Sequence, residues 1–129
     1  MEGARWARKE LLSSRAGADF RVYAVWFANY GDDHRSRWPA DLLADPRVLH
    51  FWDEEKLLGR FYQSQLKSQQ IAWDMFIAYA PEARWSDRRP YRHGRTIIGR
   101  HEDLAAALDE LLQRPHITPP ARRLMPYSR

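Results

Sequence analysis

Three consecutive residues, Asp32-Asp33-His34, follow the most apolar stretch of this chain, residues 20–28. Two carboxylates beside an imidazole can hold a divalent metal, or share general acid and general base work. Asp53 follows a second apolar run (48–52), and Asp74 lies inside a third (71–79). The same acids have a plainer use. An Asp where a strand turns into a helix caps the free N–H groups of the first turn, which accounts for Asp32, Asp33 and Asp53 without any chemistry. A second set is basic and aromatic: Arg84, Arg88, Arg89, Arg92 and Arg95, with Trp85 and Tyr91. Guanidinium planes and aromatic rings are what a single-stranded nucleic-acid surface uses, and also what a solvated loop with two rings folded onto the body contains.

Composition bounds these options. A chain of 129 residues, 44% apolar and 29% charged, is one soluble domain with room for one core. There is no cysteine, hence no disulfide, no thiolate nucleophile and no Cys-ligated zinc. No apolar run approaches the roughly 18 residues of a membrane span, and residues 1–20 lack the apolar region of a signal peptide. The expectation is a cytoplasmic protein with no membrane contact and no cofactor. Residues 84–129 hold 10 Arg or Lys against 5 acids, and residues 1–83 hold 11 against 12. The basic half suits either an anionic partner or an Arg-rich solvated surface. No metalloprotease, nucleophile-elbow, phosphate-loop or dinucleotide motif is present.

The elements that must position these residues alternate in type. Residues 4–15 read as a short helix that Gly17 is placed to end. Residues 20–28 read as a strand covered on both faces. Trp38–Ala44 is expected to form a short helix, and 48–52 a second strand. Asp53 then caps a helix carrying Leu57, Leu58, Phe61, Tyr62, Gln65 and Leu66 on one face. Residues 71–79 are a third strand, 81–93 a charged loop, and 95–99 a short fourth strand. Leu104, Leu108, Leu111 and Leu112 give 102–114 the clearest helical spacing in the chain. Residues 1–114 form the domain, and the Pro/Arg-rich segment 115–129 is expected to be irregular.

The run Val22–His34, the segment Val48-Leu-His-Phe-Trp-Asp-Glu-Glu55 with Leu57–Tyr62, and Ile71-Ala-Trp-Asp74 resemble the active-site turn, the second strand with its acidic turn, and the cis-proline segment of thioredoxin-like proteins. The whole of residues 4–113 resembles that core, and several stretches are similar to bacterial thioredoxin-like proteins of no established activity. The resemblance implies an α/β fold: a four-stranded mixed sheet flanked by helices, without the usual first strand. Residues 20–28 would be its central strand, parallel to 48–52 and antiparallel to 72–79, with 95–99 at the edge. This chain departs from the family where the family does its chemistry. Both cysteines are missing, and Ala72 or Trp73 stands in place of the cis-proline. Dithiol–disulfide exchange needs a thiolate, so it is excluded.

In such a sheet one edge would gather Asp32, Asp33, His34, Asp53 and Asp74, and ligand sites in open α/β sheets favour that edge. Asp74 would lie at least partly buried there and need a partner. Trp38 and Trp73 would fill much of the groove in which redox members hold a peptide. The reading this supports is a non-redox binding or accessory module for a protein partner, with Tyr30, Trp38, Trp73, Arg84, Trp85, Arg88, Arg89 and Arg92 as binding candidates. One alternative is an enzyme or metal-binding protein that uses Asp32, Asp33, His34 and Asp74. The other is nucleic-acid binding through the loop 84–100. His50, inside a strand, reads as a packed residue rather than a catalytic one.

Overall fold

Paired leucines decide where the first core forms. In the computed structural model, which describes residues 1–39, 41–84, 86–87 and 89–115, Leu12 is buried with Leu43 and Val48. Ala4, Ala7, Phe20, Val22, Ala24 and Trp26 pack around them. The leucine comes from an N-terminal helical segment that begins as α1 (Glu2–Trp6), widens to a π-helical stretch (Ala7–Leu12) and closes in a 3₁₀ turn (Ser13–Arg15). Gly17 does not end it through a left-handed cap, because no glycine has positive φ. The Arg47 guanidinium takes that role, donating to the carbonyls of Leu12 (2.8 Å) and Arg15 (2.5 Å).

The segment after this helix forms β1 (Val22–Trp26), parallel to β2 (Val48–Trp52) in the register Val22↔Val48 through Trp26↔Trp52. Side chains alternate across such a ribbon. Val22, Ala24 and Val48 therefore face the leucines, while Tyr23 and Leu49, a cross-strand pair, face out. Between the strands, residues 41–43 make turns where a helix was expected, and a 3₁₀ turn covers Arg35–Arg37.

Chain-continuous with β2, α2 (Leu57–Gln65) lies on residues 71–72 through Gly59, whose carbonyl accepts the Ala72 N–H (3.1 Å). A Cβ at position 59 would sit 3.0 Å from Ile71 Cγ1 and 3.1 Å from the Ala72 carbonyl oxygen, a tight fit. Next comes a hairpin, β3 (Met75–Ala78) antiparallel to β4 (Arg92–Arg95), with Phe76 opposite Gly94. α3 (His101–Leu112) packs on both strands, burying Phe76, Ala107 and Leu111. The N-terminal helix ties the two halves together. Gly3 lies against Ile97, Trp6 meets His101 edge-on at 5.4 Å, and Arg15 grips Asp109 with two hydrogen bonds of 2.7 and 3.0 Å.

The four-stranded mixed sheet of a thioredoxin-like fold is therefore not present. Among the described residues there are two separate two-stranded sheets, one parallel and one antiparallel. Residues 20–28 supply a strand bonded to β2 alone, not a central strand. The third strand is also cut short at residues 71–74. Ala72 gives its N–H to α2, and Asp74 turns left-handed (φ 46°), so pairing begins only at Met75. The fourth strand lies three residues earlier than expected, at Arg92–Arg95, because Thr96 Oγ1 accepts the Gly99 N–H and turns the chain towards α3. Among the described residues no helix is long and apolar enough to cross a membrane. Of the segment 115–129, read as an irregular tail, residues 116–129 lie outside the described residues.

Candidate functional site

With the sheet divided, the polar edge expected at the first turn does not assemble. Asp33 is engaged locally: one carboxylate oxygen accepts the backbone N–H of Tyr30 (2.8 Å) and of Asn29 (2.9 Å). Those two bonds, Tyr30 first, hold its carboxyl below the usual range, with smaller help from the charges of His34 and Lys56. Asp33 thus closes the turn rather than capping a helix. Asp32 and His34 are exposed, and Tyr30 beside them is 64% exposed. Asp53 does cap, accepting the N–H groups of Leu57 (2.9 Å) and Leu58 (2.8 Å) at the start of α2. Asp74 is exposed, against the expectation of a buried acid, because its left-handed backbone takes it out of the strand. Among the described residues no three His, Cys, Asp or Glu side chains are placed to hold a metal ion.

The two tryptophans expected to fill one groove are in different environments. Trp73 is 36% exposed. Trp38 is half-buried, its ring 4.7 Å from both Trp26 and His50. Inside that cluster Trp26 Nε1–H donates to His50 Nδ1 (3.2 Å), which leaves His50 Nε2–H to donate to the Leu43 carbonyl (3.2 Å). His50 is therefore a packed residue that fastens β2 to β1 and to the 41–43 turn. The Trp38 indole N–H is buried without a partner among the described residues.

In the basic loop some arginines have partners among the described residues and others do not. Two of them are ion-paired, Arg92 with Glu110 (3.3 Å) and Arg100 with Asp103 (2.9 Å), and Arg95 donates to the Ser68 hydroxyl (3.3 Å); beyond the loop, Arg114 pairs with Glu82 (3.5 Å). The Arg114 guanidinium lies over the Tyr91 ring at 4.6 Å, and the Tyr91 hydroxyl donates to Glu110. Arg84 gives its backbone N–H to Asp87 (2.6 Å), and its side chain is exposed. Arg89 lines an open groove of about 510 Å³ with Tyr79, Tyr91, Glu82 and Asp87. Its acids make the groove a mixed surface, not a cationic one. Trp85 and Arg88 lie outside the described residues. Tyr62 and Tyr79 join hydroxyl to hydroxyl (3.0 Å); burial, then this bond, pushes the Tyr62 phenol far above its ordinary value, so it stays protonated.

The feature that the sequence reading missed is apolar. Tyr23 is 63%, Leu49 41% and Phe51 51% exposed, all on the outward face of the β1–β2 ribbon, with the Tyr23 and Phe51 rings 6.3 Å apart. The signal was present in the strict alternation of strand positions, but a continuous apolar run gives no sign of which face lies open. No family model, curated protein or solved structure matches the chain.

Proposed function

We propose that this chain is a non-redox binding module that works by protein–protein contact, and that the outward face of the β1–β2 ribbon is its docking surface. One observation carries the reading: a parallel strand pair with Tyr23, Leu49 and Phe51 open to solvent. Parallel strands are ordinarily covered on both faces, and a contiguous apolar patch on a soluble surface marks an interaction site. The polar candidates support it indirectly, since Asp33 and Asp53 already spend their carboxylates on backbone N–H groups. A cysteine-free domain of this kind is suited to the cytosol.

Phe51→Ser tests the reading. A docking face is dispensable for folding, so the substitution should shift stability by no more than about 0.5–1 kcal/mol. It should also lower the bis-ANS fluorescence of the wild type. Unfolding of this variant would show that the face is part of the core and would sink the proposal.

A further inference from the structure

We infer that the occupant of this face is a second copy of the chain, and that the two copies exchange α2. The inference rests on the docking reading above and names its partner. Two apolar surfaces of complementary type lie open in one chain. One is the sheet face of Tyr23, Leu49 and Phe51, and the other is a stripe on α2, where Leu57, Leu58 and Phe61 are 61%, 37% and 46% exposed. Positions 57, 58 and 61 fall within about a quarter to a third of the helix circumference, so they form one stripe.

A helix stripe and a sheet face normally bury each other within a domain. Here both stay open to solvent. The inward contacts of α2 are Gly59 on Ile71 and Ala72, and the Tyr62 hydroxyl on Tyr79. A two-fold axis solves both exposures at once, since α2 of each copy covers the sheet face of the other and every contact is made twice. The area is sufficient. Side chains of this size at these exposures leave on the order of 500 Å² per copy, and pairing them buries on the order of 1,000 Å² in total. That is the low end of specific interfaces, so the dimer should be reversible rather than obligate.

Sedimentation equilibrium of the full chain over a wide micromolar range is the primary measurement. The weight-average mass should rise from the 15.3 kDa of one chain towards twice that value. Phe51→Glu and Phe61→Glu, on different elements, should each weaken dimerisation at least tenfold, because either one spoils both reciprocal contacts. A wild type that stays at 15.3 kDa throughout overturns the inference. If Phe51→Glu is then still folded by circular dichroism, the docking reading survives; if it unfolds, that reading falls too.

The absence of cysteine allows a sharper test of the helix exchange. Chains carrying Phe51→Cys and chains carrying Phe61→Cys, mixed and treated with a short bis-maleimide, should cross-link several-fold faster than either variant alone. Fastest cross-linking of Phe51→Cys with itself would mean that the two sheets pack face to face, and would overturn the exchange.

Discussion

Gly94→Ala should be among the most damaging single-atom changes this protein can undergo. Gly94 is buried in β4 directly opposite Phe76 in the hairpin register. A Cβ built on it would stand 2.6 Å from Phe76 Cε1 and 3.1 Å from both Phe76 Cζ and Arg100 Cβ. Carbon atoms rest at about 3.5–4.0 Å, so the ring must retreat by about 1 Å. Phe76 is only 7% exposed, and α3 packs against its strand. Such overpacking costs about 1–3 kcal/mol, and the reduced freedom of the unfolded chain returns about 0.4–1 kcal/mol. The net loss is about 1.5 kcal/mol, or about 5–7 °C in Tm for a chain of this size. Gly17→Ala is the control: its added Cβ meets nothing within 4 Å, and no glycine has positive φ, so it should melt at or slightly above the wild type. Phe76→Leu in the Gly94→Ala background removes the clashing ring edge, and the double variant should be more stable than additivity predicts by about 0.5–1 kcal/mol. Thermal melts of the four variants decide the matter. A Gly94→Ala protein melting within about 2 °C of the wild type, or strict additivity with Phe76→Leu, would refute the packing described for Phe76 against Gly94.

Two further outcomes follow from the polar contacts. Asp45 binds the Arg47 guanidinium through both oxygens (2.9 and 2.7 Å), and that contact, with the Arg47 backbone N–H, lowers its pKa to about 2. A depressed folded value contributes stability above the unfolded value and loses it as pH falls, here between about 4 and about 2. Asp45→Asn should therefore be less stable than the wild type by about 1–2 kcal/mol near neutral pH, with the gap closing by about pH 2; a constant gap in denaturant titrations across that range would exclude the linkage. Asp53→Ala removes the acceptor of two N–H groups at the start of α2 and should cost about 0.5–2 kcal/mol, seen as faster amide exchange at Leu57 and Leu58 than elsewhere in the helix.

Much of the local architecture was legible. The helix at His101–Leu112 and the N–H acceptor role of Asp53 follow from spacing and residue type, while the parallel pairing of the first two apolar runs and the hairpin of the last two were expected only as part of the resemblance. The assembly of these pieces was not legible, because it depends on backbone groups that periodicity does not report. Ala72 is a strand residue by pattern, yet its N–H belongs to Gly59. Asp74 alternates correctly with its neighbours, yet its φ is positive and the strand starts after it. Gly17 has the composition of a helix cap, while the carbonyls it was expected to serve are taken by Arg47, about thirty residues away.

The expected convergence of acids at one edge was lost for a related reason. An acid cluster at a sheet edge needs the sheet to bring its members together, and two of those acids had nearer partners. Asp33 finds two N–H groups within its own turn, and Asp53 finds two in the helix that follows it. A carboxylate bonded in this way is satisfied where it stands and has little to gain by converging with like charges. The unsatisfied surface lies among residues that hydrophobicity alone would assign to a core: Tyr23, Leu49 and Phe51 on one element, Leu57 and Phe61 on another. Apolar side chains left open on both a strand pair and the helix that follows it are what the docking proposal rests on. The small core supports that proposal, since Leu12 is the only large side chain fully enclosed among the described residues. Burying the open faces against another surface would add to stability what the isolated fold leaves exposed.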